Sequence, residues 1–202
     1  MLSIGAPAAP TLFCDQLLQF PINEGHLASM TEPESWQNLL RLRAAEGWLE
    51  LGLPDEARAE FEALEPHLQN APVGLEVQWL LFAERGHWDA AFAIAQRTVE
   101  LHPQVEAGWI HRAYSARRRP GGGLALAQEL LLPAATHFPE SLTIPFNLAC
   151  YAAQRGDLAN AWEWLSLAAK AGSWDKIMEM ALADIDLEPL WPRLRNRLEF
   201  GS

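Results

Sequence analysis

The feature that most constrains this chain is a pairing of Gly with an Ala five residues later, which returns at a nearly fixed interval. It occurs as Gly52 with Ala57, Gly86 with Ala91 and Gly156 with Ala161. Gly52 and Gly86 stand 34 residues apart, and Gly86 and Gly156 stand 70 apart, two periods plus two residues. The missing copy lies between them. Pro103 and Pro139, 36 residues apart, each end a helix-like segment. Between them, Trp109, Ala113 and Ala116 lead into the breaker that runs from Arg119 to Gly123, so this copy carries a two-residue insertion in its central turn. Self-similarity at such a period belongs to units too small to bury their own apolar face, which stack on one another to do so.

The spacing inside each unit gives the reason. Seven residues before the Gly stands Ala45, Trp79 or Ala149, and four before it stands Trp48, Phe82 or Ala152. With apolar residues three and four positions further back, these form one stripe on a first helix. The Gly supplies the left-handed residue that stops this helix. Asp55 and Asp89 then stand at the start of the next helix, where the helix dipole favours an acid,. The Ala lets that second helix approach the first, and Phe61, Leu64, Leu165 and Ala168 continue its inward stripe. Each unit is thus an antiparallel helix pair. An ordinary helical bundle runs on heptads and needs no glycine at a fixed period.

These residues resemble the tetratricopeptide repeat family, in the Gly–Ala pairs, the aromatics Trp48, Phe61, Phe82 and Trp109, and the closing prolines Pro103 and Pro139. The likeness spans four units, residues 35–68, 71–104, 105–141 and 142–173. The units depart from the family pattern at Ala95, Ala116 and Ala152, where large aromatics are preferred, and at Gln69 and Ser173, which replace the closing Pro. The resemblance implies an all-α, right-handed α-solenoid of about four antiparallel helix pairs, with an N-terminal extension or cap over residues 1–34 and capping helices over residues 174–202. The stretch from Ala183 to Leu190 is similar to the closing segment of some bacterial tetratricopeptide proteins. Ile177, Met178, Ala181 and Leu182 are expected to cover the last repeat, and Leu187, Leu190, Leu194 and Leu198 to form a final amphipathic helix. Asp184, Asp186 and Glu188 read as capping and solvating residues rather than metal ligands. Near the other end, Thr31 and Pro33 open the first repeat helix. A short helix from Thr11 to Phe20 either caps the first repeat or folds into the groove.

Chemistry-bearing patterns are absent from the sequence. The six histidines show no metal-ligand spacing, and His67, His87, His102 and His137 fall in turns or at helix ends,. The run Gly121 to Gly123 follows arginines, not a strand, and reads as a turn. Neither Cys14 nor Cys150 has a neighbouring His to activate it,. The expectation is no enzyme, no cofactor and no metal. A formal net charge of −11, with −8 in residues 1–66, argues against a nucleic-acid partner,. No apolar run is long enough to cross a bilayer, and the first 20 residues carry no Lys or Arg, so the basic region of a secretory signal is missing,. The cysteines read as reduced thiols and the chain as cytoplasmic. Thirteen Arg to two Lys suits a GC-rich bacterial genome. Of nine Trp, Trp36, Trp48, Trp79 and Trp109 are placed in helix packing, while Trp88, Trp162, Trp164, Trp174 and Trp191 include candidates for an exposed patch,.

In the tetratricopeptide family the first helices of successive units line a concave groove. The resemblance therefore makes Glu46, Glu76, Leu80, Ile110, Tyr114, Arg117, Arg118, Phe146 and Asn147 the partner-binding candidates, with Cys150, Glu50, Glu84 and His111 close by. Such a groove is acidic at its N-terminal half, basic and aromatic in the middle, and apolar at its C-terminal half. The family's chaperone-tail receptors clamp a peptide carboxylate with Lys and Asn, where this chain has Leu42 and Glu46, so that role is disfavoured. The expected function is a non-catalytic protein–protein interaction module that binds a peptide or protein segment, as a monomer or homodimer. The alternatives are a secretion-type chaperone for one client and a self-assembling structural oligomer.

Overall fold

A computed structural model describes the backbone of residues 33–200 and the side chains of residues 36–198. The expected helix from Thr11 to Phe20 and the Thr31 cap lie outside these residues. Among the described residues, eleven α-helices follow one another: α1 (Pro33–Glu50), α2 (Pro54–Glu62), the single turn α3 (Pro66–Gln69), α4 (Pro72–Ala83), α5 (Trp88–Leu101), α6 (Glu106–Arg118), α7 (Leu124–His137), α8 (Thr143–Gln154), α9 (Leu158–Ala171), α10 (Trp174–Ala183) and α11 (Trp191–Phe200). A 3-10 helix, Ile185–Leu190, joins the last two. The described residues contain no strand.

The three period-marking glycines make the same turn. Gly52, Gly86 and Gly156 have φ of 70°, 67° and 83°. At each, the Gly N–H bonds to the carbonyl three residues back (Leu49, Ala83, Ala153), and the next N–H reaches the carbonyl five residues back (Trp48, Phe82, Ala152), at 2.8–3.0 Å. This paired closure satisfies the carbonyls that a helix end leaves without partners. The insertion in the third pair opens the turn instead. Gly121 and Gly123 both have positive φ, and the Gly123 N–H reaches back seven residues to the Ala116 carbonyl.

The turns fold α1 onto α2, α4 onto α5, α6 onto α7 and α8 onto α9, and α5 also packs on α6 and α7 on α8. Ala57, Ala91 and Ala161 are completely buried where the paired helices meet, and Ala127 takes the same place in the third pair. Each lies at the start of the second helix, where a larger side chain would hold the helices apart. Close approach recurs between pairs at Gly108, where an added Cβ would stand 2.8 Å from Thr98 Cγ2.

From Ile144 to Ala153, α8 is buried on every side. Its apolar composition demands cover all round, and the cover comes from α7, α9 and the 3-10 helix. After α10 packs on α9, the chain therefore turns back onto α8 rather than only sealing the last helix. Asp184 opens that return by accepting the Asp186 N–H at 2.9 Å. Trp191 Nε1 donates to the Ala181 carbonyl at 2.9 Å, and Leu187, Leu190 and Leu194 complete the core.

One packing expectation is corrected. Trp36, assigned to helix packing, is 64% exposed in the first described turns of α1, because no described helix precedes α1 to cover it. Trp79 and Trp109 are buried as expected. Trp162 and Trp174 stack at 5.4 Å, flanked by the guanidinium groups of Arg193 (3.9 Å from Trp162) and Arg197 (4.2 Å from Trp174), so α11 caps them.

Candidate interaction surface

The candidate residues come from α1, α4, α6 and α8. Of these, α1 packs beside α4 and α4 beside α6. The structure divides the nine candidates into three groups.

Ile110 and Phe146 are completely buried core residues, and Leu80 is nearly so. Asn147 is also buried, with its amide donating to the Thr143 carbonyl at 2.9 Å. Offset counting from the glycines places these residues on first helices, but the structure turns them into the core rather than to an open face. In α8 the residues from Ile144 to Ala153 are all buried, so no offset there marks an open face.

Arg117 faces the chain's own C-terminal return. Its guanidinium grips Asp186 with both terminal nitrogens, the longer contact at 3.1 Å, and its carbon stands 5.9 Å from the Tyr151 ring. Gln154 Nε2 donates to the Asp186 backbone carbonyl at 3.0 Å. Cys150 Sγ donates to Asp184 Oδ2 at 3.6 Å. Burial works against the Arg117 charge, but the Asp186 hydrogen bond and charge more than offset it, holding the guanidinium above its usual range. Burial, reinforced by Asp184 and Asp186, pushes the Cys150 thiol well up. Burial also raises Asp184. The face expected to be the apolar end of a groove thus holds an acidic segment of this same chain. The sequence signal was present in the Asp184–Glu188 acids and the Arg117–Arg119 run, but nothing in the spacing paired them across 69 residues.

Glu46, Glu76, Tyr114 and Arg118 form the third group, around an aromatic stack. Trp79 of α4 lies flat on His111 of α6, with ring centroids 3.7 Å apart and planes 4° from parallel. Trp79 Nε1 donates to Ser115 Oγ at 2.9 Å, which fixes the indole. Tyr114 meets Trp79 edge-on at 6.0 Å and Trp88 at 5.8 Å, and the Arg118 guanidinium lies 3.4 Å from the Tyr114 ring centroid. Such a cation on an aromatic face is favourable. His111 is 97% buried in this stack, and burial keeps its imidazole neutral, down to about 3. Glu76 Oε1 stands 3.6 Å from His111 Nε2. Burial, then the like charge of Glu46 on the neighbouring helix, raises Glu76 to about 7. Glu46 is itself raised, by burial against the opposing pull of Arg43. His111 was a neighbouring residue in the sequence reading. Its stacking on Trp79 spans two helix pairs, so no local pattern marks it.

Among the described residues, no group of three or more His, Cys, Asp or Glu side chains is arranged to hold a metal ion, and no helix is long and apolar enough to cross a membrane.

No protein-family profile matches the chain, and no curated relative matches it. A solved structure does. The chain is similar to a thermophilic tetratricopeptide-repeat protein of Thermus thermophilus, at a TM-score of 0.58 and 18% identity, over 80% of this chain and 97% of that one. The sequence resemblance and the solved neighbour agree on architecture: this chain has the fold of a tetratricopeptide-repeat solenoid, built of antiparallel helix pairs.

Proposed function

We propose that the chain is a non-catalytic protein-interaction scaffold that receives a partner segment along α1, α4 and the Tyr114 edge of α6. The observation that carries this reading is the chain's own behaviour at the other end of the same row of helices. There the Asp184–Leu190 segment lies against α8 and is held by a two-pronged Arg–carboxylate contact, a backbone carbonyl contact and apolar burial. These are the means by which a helical groove holds a peptide. That end is already filled, so a partner is directed to the acidic and aromatic part. Of the predicted binding residues, Glu46, Glu76, Tyr114 and Arg118 stay in the role, Leu80 borders it, and Arg117 serves the internal contact. The tetratricopeptide fold generally serves protein binding, which supports the scaffold reading over a catalytic one. A cytoplasmic setting, one without nucleic acid, membrane or cofactor, completes the proposal.

The test is capture from the native host's lysate, comparing the wild type with a Glu46→Lys, Glu50→Lys variant that retains its helical circular dichroism. A partner held by the first and lost by the second supports the assignment. A partner held equally by both moves the interface to the second helices or the ends of the solenoid. Capture of the chain alone, with light scattering at twice the monomer mass, favours the self-assembling alternative. A single client whose binding raises the melting temperature favours the chaperone.

A further inference from the structure

We propose that the Glu46–Glu76–His111 cluster is a recognition site for one basic side chain of the partner segment, a cationic anchor point set beside the Trp79–Tyr114 aromatic wall. This inference rests on the scaffold reading and names the chemistry of its partner.

Three observations converge on it. First, Glu46, Glu76 and His111 come from three successive first helices, α1, α4 and α6, so the cluster lies across the face assigned to the partner rather than within one helix. Second, the like charge of Glu46 acts on Glu76, and no cation is among the groups that shift Glu76. Glu46 raises Glu76, the cation acting on Glu46 is the exposed Arg43, Glu50 adds a further like charge, and His111 stays neutral. Third, His111 Nε2 is fully buried and makes no hydrogen bond, although it points at Glu76 Oε1 from 3.6 Å. At 3.6 Å the two atoms stand too far apart to hydrogen-bond, whichever of them carries the proton,. Either tautomer leaves a buried polar atom unsatisfied, a condition that costs free energy.

A guanidinium or ammonium group meets all three conditions. It carries several N–H donors, for carboxylate oxygens and an acceptor nitrogen alike. Its charge offsets the Glu46–Glu76 repulsion. The Trp79–His111 stack and the Tyr114 ring, whose face already carries Arg118, form the aromatic wall behind the carboxylates. The Glu76 side chain is 23% exposed, so the site opens to solvent at the carboxylates and is closed behind by the imidazole. Burial and the like charge of Glu46 hold the Glu76 proton on near neutral pH, and an arriving cation displaces it,.

The experiment is a nuclear magnetic resonance titration of the full-length chain. It uses two acetylated, amidated pentapeptides of Ala and Leu that differ only at the centre, Arg in one and uncharged, near-isosteric citrulline in the other. The Arg peptide is expected to shift the resonances of Glu46, Glu76, His111 and Trp79, and to bind about tenfold more tightly than the citrulline peptide, as a charge-assisted contact requires. Glu76→Gln and, separately, Glu46→Gln are expected to erase that preference, and the half-buried Glu46 position keeps the test decisive if the Glu76 variant folds poorly. Equal binding of the two peptides on α1, α4 and α6 overturns the cationic anchor and leaves the scaffold reading standing. Shifts confined to α2, α5 and α7 overturn both. No shift from the Arg peptide overturns the anchor.

Discussion

At the scale of single residues, Glu76 and His111 set opposite pH dependences on the same few ångströms of structure. Glu76 titrates at about 7 in the folded chain against an ordinary 4.5, so the folded state keeps a proton that the unfolded state has lost. Its contribution to stability is present below pH 4.5 and is lost as pH rises towards 7. His111 titrates at about 3 against an ordinary 6.5, so the unfolded state takes up a proton that the folded state refuses. Its contribution is present above pH 6.5 and is lost as pH falls towards 3. Between pH 4.5 and 6.5 the two slopes oppose, and the pair adds little net dependence. Removing one partner exposes the other. Glu76→Gln is expected to make stability rise with pH in this window, by about 1.4 kcal/mol per pH unit relative to wild type. His111→Phe is expected to make it fall at a similar rate. Urea midpoints at pH 4.5, 5.5 and 6.5 read both, and parallel curves for all three proteins would sink the pairing. The period-marking glycines act at this scale too. Gly156 has φ of 83° with nothing within 4 Å of an added Cβ, so Gly156→Ala meets conformational strain and no clash. A loss of about 1–2 kcal/mol in chemical denaturation is expected, and an unchanged midpoint would show that the turn has another solution.

At the scale of elements, the helices and their turns were legible because their causes are local. Gly52, Gly86 and Gly156 need only their own backbone and the preceding turn to stop a helix, and those turns all appear. The third turn was readable as an insertion, and Gly121 and Gly123 do adopt positive φ, yet the equivalence of Ala127 to the other three alanines was not, because the insertion breaks the count. The candidate residues were legible as members of first helices, and less so as members of an open face. Ile110 and Phe146 entered the candidate set by offset alone and belong to the core, whereas the charge of Glu46 on α1 acts on Glu76 of α4. Least legible was the return of Asp184–Leu190 onto α8, since a contact between Arg117 and Asp186 depends on where the solenoid ends. That return is testable as an element. Arg117→Ala leaves Asp186, whose side chain is only 16% exposed, without its cation. Losing one partner of a partly buried pair costs about 1–3 kcal/mol, enough to let the segment open locally. In a Cys14→Ser background, Cys150 is then expected to react several-fold faster with a thiol reagent, and the amides of residues 185–190 to exchange faster. Unchanged reactivity would mean that Leu187 and Leu190 hold the segment without the ion pair.

At the scale of the whole molecule, most of the buried apolar residues among those described fall into two clusters, one from Leu42 to Ala95 and one from Val99 to Leu194, and α6 packs on both. Its Trp109, Ile110 and Ala113 pack in the second cluster, while Tyr114 packs against the first and His111 and Ser115 receive Trp79. A stacked repeat is held together by the sum of its units and the contacts between neighbours, so cooperativity across the molecule depends on its weakest joint. Trp79 is the largest side chain at this joint and is 99% buried. Truncating it removes the stack on His111, the hydrogen bond to the completely buried Ser115 and the edge contact with Tyr114 together. The expected cost of Trp79→Ala is about 3–5 kcal/mol, concentrated between the clusters rather than spread over them. The variant is therefore expected to unfold in two steps, with the amides of α1–α4 exchanging at lower denaturant than those of α8–α11. Trp79→Phe keeps a ring for the stack and loses the Ser115 bond, so it is expected to shift the midpoint by about 1–3 kcal/mol without splitting the transition. Native-state hydrogen exchange across a denaturant series distinguishes the cases. A single common midpoint in Trp79→Ala would place the coupling elsewhere along α5 and α6. A split there would identify the aromatic wall beside the acidic cluster as the joint through which a partner bound on α1 and α4 stabilises the rest of the solenoid.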